Sequence, residues 1–173
     1  MRLDVSKLKS NGDSEEFEFC ENWEKIEFRG DNLFFVEPVS FYGVATKKGN
    51  VIEVSGNIKT KLKTSCYRCA EDTFVDVDVP FYEEYSNNAE IKDDEVIQFE
   101  NDVIEFDENV IATIVLYLPM KYLCREDCKG LCPICGTNLN FGSCSCERDE
   151  IDPRLSILKT LKNMLDTDEK KEV

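Results

Sequence analysis

The chain of 173 residues contains no histidine. That absence removes Ser-His and Cys-His catalysis, imidazole acid–base chemistry and any histidine-ligated metal. It also lacks a membrane-length apolar run. The longest, Val110 to Met120, falls short of the roughly 20 residues a helix needs to cross a bilayer. The first residues, Met1-Arg2-Leu3-Asp4-Val5-Ser6-Lys7, carry no apolar signal-peptide core, and no internal repeat is present. Together these absences predict a cytoplasmic protein in a reducing compartment, with no membrane partner. Cysteines there read as metal ligands or redox groups before disulfides.

Basic charge is nearly missing from one zone. Residues 71–110 hold 15 acidic side chains against a single base, Lys92, and so account for almost all of the net charge of −15. The remainder is close to neutral. Such a field disfavours broad binding to nucleic acid and favours solubility or a basic protein partner. With 42% hydrophobic and 33% charged residues, the chain has the balance of a soluble globular protein.

Alternation marks the strands. Val39 to Thr46 and Val51 to Thr64 read as strands joined through Lys48-Gly49-Asn50. In the second, Ile52, Val54, Ile58 and Leu62 point to one face, and Glu53, Asn57, Lys59, Lys61 and Lys63 to the other. Phe74 to Tyr82 alternates likewise, with Val75, Val77, Val79 and Phe81 inward. If Tyr67-Arg68 is the turn between these arms, Ile58 faces Val77, Thr60 faces Val75, Lys59 faces Asp76 and Lys63 faces Asp72. Val96 to Phe99 and Val103 to Phe106 flank another turn, and Ser86 to Asp94 reads as a polar loop. Asp107 is the expected cap of a helix ending before Pro119, with Val110, Ile111, Ile114, Val115 and Leu118 on its apolar face. Ala112, Leu116 and Tyr117 broaden that face and predict a well-buried helix. Asp152-Pro153 predicts a second helix start, followed by Leu155, Leu158, Leu161 and Leu165.

Nine cysteines are the dominant chemical feature. The run Cys132-Pro133-Ile134-Cys135-Gly136 lets two sulfurs meet one ion, with proline presetting the turn and glycine closing it. Cys144 and Cys146, two apart on extended backbone, offer their sulfurs on one side. Cys132, Cys135, Cys144 and Cys146 thus form a candidate closed Zn²⁺ site of net charge −2, with Lys121, Arg125, Lys129 and Arg148 near enough in sequence to offset it. The spacing fits no common ferredoxin run. Cys66-x-x-Cys69 lies between two strand patterns, and a strand after it argues against a thioredoxin-like redox pair. Cys66, Cys69, Cys124 and Cys128 could form a second site. Alternatively, the first two are ordinary hairpin residues, or the last two compete for the first ion. The chain is expected to hold one or two Zn²⁺. Cys20 is left over.

Lys59, Lys61 and Lys63, with Lys47, Lys48 and Arg68, suggest an RNA-binding stripe, but acids placed opposite them favour a solvated strand face. Trp23, Phe28, Phe34 and Phe35 could stack on bases; core positions are the simpler reading.

Several features together resemble a known family. They are Cys66-Tyr67-Arg68-Cys69, the acidic middle, the helix ending Leu118-Pro119, the run Cys128-Lys129-Gly130-Leu131-Cys132-Pro133-Ile134-Cys135-Gly136-Thr137-Asn138-Leu139-Asn140, and the late Asp152-Pro153-Arg154-Leu155. Over residues 30 to 165 the chain resembles the YceD-like family, bacterial and plastid proteins linked to accumulation of large-subunit ribosomal RNA. Members often lack the later cysteine cluster, while many retain the mid-chain pair. The resemblance implies a role in ribosome assembly, with large-subunit ribosomal RNA or a basic ribosomal protein as partner. It supplies no catalytic residue.

The resulting expectation is an α+β protein, with a mainly antiparallel β-sheet packed with a helix, a small cysteine-rich zinc module and a C-terminal helix. Its divisions are 1–120 for the α+β domain with the acidic zone 71–110, 121–150 for the zinc module, 151–166 for the C-terminal helix and 167–173 for a charged tail. The expected function is non-enzymatic, in accumulation of large-subunit ribosomal RNA or large-subunit assembly. The alternatives are a zinc-stabilised interaction adaptor unrelated to ribosomes and a thiol-disulfide oxidoreductase.

Overall fold

The computed structural model describes residues 1–88 and 95–146. They form nine strands and one helix: β1 (Arg2–Asp4), β2 (Ser14–Glu21), β3 (Lys25–Phe28), β4 (Asp31–Phe35), β5 (Val39–Lys48), β6 (Val51–Ser65), β7 (Asp72–Ser86), β8 (Val96–Gln98), β9 (Val103–Glu105) and α1 (Asp107–Tyr117). The predicted helix at 151–166 and the tail at 167–173 lie outside the described residues.

The strand β6 organises a seven-stranded sheet. One edge is occupied along its length by β7. The other takes β5 over Val51–Lys59 and then β4 at Leu62 and Lys63. All of these pairs are antiparallel, and β8 joins β7 in parallel. The alternation that marks these strands in the sequence sorts their faces: Val54, Ile58 and Leu62 are fully buried, as are Phe41 and Ala45 of β5. A two-stranded sheet of β1 and β9 pairs Leu3 with Ile104.

The core gathers around Phe106, which joins β9 to α1. Its ring lies 5.2 Å from Phe41 at 86°, 5.8 Å from Tyr85 at 88° and 5.5 Å from Phe17. Edge-to-face pairs of this kind add about 0.5–1.5 kcal/mol beyond the area they bury. Val110 and Ile114 carry the same core along α1 to β7. Trp23, Phe28 and Phe35 pack against this core, whereas Phe34 is 48% exposed.

Three expectations are corrected. The β6–β7 register is shifted by two: Ile58 pairs with Val79, Thr60 with Val77 and Lys59 with Asp78. The connection is the six-residue loop Cys66 to Glu71 and not a two-residue turn, because Ser65–Asp72 is the last pair. An even shift keeps every side chain on its expected face. Next, α1 is only half covered, with Leu116 82% and Tyr117 57% exposed. Among the described residues the helix packs chiefly against β7, which shields one stripe, and Leu116 and Tyr117 fall outside it. Finally, Phe106 and not Asp107 occupies the N-cap, with no side-chain cap bond, and Asp107 pairs with the Met1 ammonium instead. Leu118 turns extended before Pro119 and ends the helix as expected.

Candidate metal centres

The two cysteine loops share one backbone pattern. In the first, Cys66 N–H donates to Glu71 O at 2.8 Å and Ala70 N–H to Cys66 O at 2.9 Å. In the second, Cys132 N–H donates to Thr137 O at 2.8 Å and Gly136 N–H to Cys132 O at 2.9 Å. The closing residue is left-handed in both, Ala70 at φ 59° and Gly136 at φ 74°. Each loop therefore folds its two cysteines back over the turn, and backbone N–H groups converge on the leading sulfur. Sequence reading found the glycine of the second loop but not its counterpart, because alanine rarely takes this conformation.

After Pro119 the chain returns to the first loop. Tyr67 N–H donates to Tyr122 O at 2.9 Å, the two rings stack at 5.6 Å, and Thr73 Oγ1 donates to Leu123 O at 3.3 Å. These contacts bring Cys124 Sγ within 3.5 Å of Cys69 Sγ, and Cys128 Sγ within 3.8 Å of Cys66 Sγ. The structure thus gathers Cys66, Cys69, Cys124 and Cys128 in one cluster and Cys132, Cys135, Cys144 and Cys146 in another, each with its sulfurs within 4.8 Å of one another. Four thiolates on a tetrahedral Zn²⁺, at about 2.3 Å from the metal, sit roughly 3.8 Å apart. The donor set and spacing fit such an ion. Cys66, Cys69, Cys128 and Cys132 are buried; Cys20 stands apart and exposed.

The protons within each cluster are unevenly held. Burial pushes the Cys66 thiol up, but N–H groups of Cys124, Arg68 and Cys69 outweigh it and bring its pKa down to about 6. Burial likewise opposes ionisation of Cys128, and the Asn140 amide and Gly130 N–H reverse it, for a net lowering. Cys124 is pushed up to about 12 by desolvation and by the sulfurs of Cys69, Cys128 and Cys66. Cys69 is raised despite the Glu71 N–H, through desolvation and neighbouring sulfurs. In the second cluster the Thr137 hydroxyl and N–H bring Cys135 to about 6, and the Cys135 and Ile134 N–H groups lower Cys132. Cys146 is pushed up to about 12 by the Cys135 sulfur and by desolvation. Cys144 rises despite the Cys146 N–H, chiefly through the Cys132 sulfur. Four close sulfurs cannot all ionise unaided; a divalent cation removes that limit.

The flanking cations differ from expectation. Arg68 lies against the first cluster, its guanidinium donating to Cys128 O at 2.9 Å, while Arg125 pairs with Asp127 at 3.3 Å. Arg148 lies outside the described residues. On the sheet, Lys59 pairs with Asp78, Lys61 with Asp76 and Lys63 with Asp72, at 3.2, 2.9 and 2.7 Å. A lysine stripe neutralised on its own face offers little to phosphates. Among the described residues no helix is long and apolar enough to cross a membrane.

Comparison with known proteins shows which sequences the chain is similar to. Residues 54–162 match the family described as "Large ribosomal RNA subunit accumulation protein YceD". The uncharacterised protein YlbN of Bacillus subtilis is 29% identical over 154 residues, covering 84% of this chain and 87% of its own. An uncharacterised protein of Mycobacterium tuberculosis is 29% identical over 106 residues, 58% of this chain; the match spans only 51% of that relative. The Arabidopsis thaliana protein named "Large ribosomal RNA subunit accumulation protein YCED homolog 1, chloroplastic" is 24% identical over 159 residues, 74% of this chain and 50% of its own length. No solved structure matches.

Proposed function

The chain belongs to the YceD family, and from that premise we propose that it is a non-enzymatic factor in the accumulation of large-subunit ribosomal RNA or in large-subunit assembly. The observation that carries this reading is the extent of the family match. Residues 54–162 take in both arms of the β6–β7 hairpin, α1 and both sulfur clusters. The name of the Arabidopsis relative supports the same role.

In this reading Cys66, Cys69, Cys124 and Cys128 hold one Zn²⁺, and Cys132, Cys135, Cys144 and Cys146 hold a second. A site with four protein sulfurs leaves no open position for substrate, so the ions serve structure. Residues 1–120 act as the α+β unit and residues 121–150 as a module stapled to it by the first ion. The protein works in the cytoplasm, where thiols stay reduced. Its partner is a basic ribosomal protein, large-subunit ribosomal RNA or both, with the acidic zone 71–110 drawing the basic protein by charge.

The direct test is depletion of the chain in its own cell. Large-subunit ribosomal RNA should fall relative to small-subunit RNA and recover on re-expression. The protein should also co-sediment with large-subunit precursors. An unchanged ratio of the two RNAs on full depletion overturns the reading.

A further inference from the structure

The two sulfur clusters are joined by one side chain. Asn140 lies in the loop of the second cluster, between Cys135 and Cys144, yet its Nδ2 donates to Cys128 Sγ of the first at 3.4 Å. Its Oδ1 accepts Lys129 N–H at 2.8 Å, and its own N–H and Nδ2 both donate to Asn138 Oδ1, at 3.0 and 2.9 Å. Asn138 Nδ2 in turn reaches Glu71 Oε1 of the first loop at 3.2 Å. Every rotatable bond of Asn140 is therefore fixed with its amide aimed at the sulfur.

The linker between the clusters is clamped as well. Only Lys129, Gly130 and Leu131 separate Cys128 from Cys132. Leu131 N–H donates to Arg68 O at 2.8 Å, and Leu139 N–H to Gly130 O at 2.9 Å. A Cβ on Gly130 would stand 2.8 Å from Arg68 O, so the linker runs directly against the first loop.

We propose that Asn140 is a positioning residue for the first metal centre and couples it to the second, so that an ion in either cluster tightens the other. The inference rests on the reading that both clusters bind metal. The physical argument has two parts. An N–H donor to a coordinated thiolate disperses its charge and fixes its lone pairs, and outer-shell partners of this kind are worth about 10- to 100-fold in metal affinity. Ordering the second loop around its own ion sets Asn140 in place beforehand. The first ion then does not bear that ordering, and linkage makes the benefit reciprocal.

The test uses the full chain, stripped of metal and titrated with Co²⁺ under reducing conditions. Asn140→Asp keeps the shape and the acceptor for Lys129 N–H but removes both Nδ2 donations, to Cys128 Sγ and to Asn138 Oδ1, and sets a carboxylate in their place. The expected result is two Co²⁺ per chain for both proteins, with the first centre about 10- to 100-fold weaker in the variant. Its sulfur-to-cobalt charge-transfer band should move to lower energy, because the thiolate becomes more electron-rich. A purely structural role would not move that band. The chain carrying Cys132→Ser and Cys135→Ser should show the same weakening at the intact first centre. Circular dichroism of the sheet confirms folding in each case. Two Co²⁺ with unchanged affinities and an unmoved band in Asn140→Asp overturn the coupling. A wild-type chain that takes up no Co²⁺ or Zn²⁺ overturns instead the metal reading beneath it.

Discussion

Gly43 pairs with Gly56 across β5 and β6, and neither position has room for a methyl group. A Cβ on Gly43 would lie 2.3 Å from Ser55 O, and one on Gly56 2.3 Å from Tyr42 O. Both clashes are with backbone, which cannot swing aside. The Phe17 ring, 3.1 Å from the Gly43 position, already fills the core side. Gly43→Ala should therefore destabilise the sheet by about 1–3 kcal/mol, the usual range for overpacking. Equilibrium denaturation read by Trp23 fluorescence checks it; an unchanged midpoint would show that the strands part without strain.

Much of this architecture was legible. The long strands announce themselves because one face is buried, which forces a period of two in Ile52, Val54, Ile58 and Leu62. The spacing singled out Cys132, Cys135, Cys144 and Cys146 as one set and left open whether Cys66, Cys69, Cys124 and Cys128 form another; in space each set of four comes together. The β6–β7 register was not legible, since alternation fixes the face of each residue but is blind to a shift of two. The half-exposed α1 escaped for a related reason. Leu116 and Tyr117 look like core residues until it is known which face of the helix meets β7. Asn140 carried no signal beyond its place in a family motif, because a side chain that serves another loop has no local pattern.

Gly130 and Gly136 are both left-handed, at φ 75° and 74°, but their surroundings differ. Nothing lies within 4 Å of a Cβ on Gly136, so Gly136→Ala meets only the conformational penalty of about 1 kcal/mol. Gly130→Ala adds the clash with Arg68 O and should cost on the order of 2–3 kcal/mol. Metal-loaded thermal melts of the two variants should rank in that order. Equal losses would mean the linker does not press on the first loop.

Replacing Cys66 and Cys69 together by serine should remove one zinc of two and leave the second cluster's ion in place, though less tightly held. Elemental analysis after gel filtration gives the count. Loss of no zinc would assign Cys124 and Cys128 to another ion. Cys132→Ser should release the other equivalent and unfold its loop, since bound zinc is folding free energy at such a site.

The acidic zone predicts a salt-sensitive attraction. Changing Glu83, Glu84, Asp93, Asp94 and Glu95 together to their amides removes five of the negative charges in residues 71–110. Capture of purified basic ribosomal proteins at low salt should weaken by about tenfold or more, with the slower encounter that loss of steering brings. Undiminished capture would leave these carboxylates a solubility role only.

Zinc uptake should release fewer than four protons per ion at neutral pH, and the number should depend on pH in a definite direction. Coordination requires all four sulfurs of a cluster as thiolates. Cys66 and Cys135 sit at about 6, below the ordinary thiol value, so at pH 7 they are already mostly ionised and give up little. Cys124 and Cys146, pushed up to about 12, are fully protonated and must each release a proton. As pH falls through 6, Cys66 and Cys135 gain protons that zinc must displace, so the count rises toward four and affinity drops more steeply. An unfolded peptide, its thiols near 8.5 throughout, would release about four at pH 7. Calorimetry in buffers of different ionisation enthalpy separates the two. A count of four at pH 7 that stays flat down to pH 5.5 would show that the backbone N–H groups around Cys66 and Cys135 are not in place before the metal arrives.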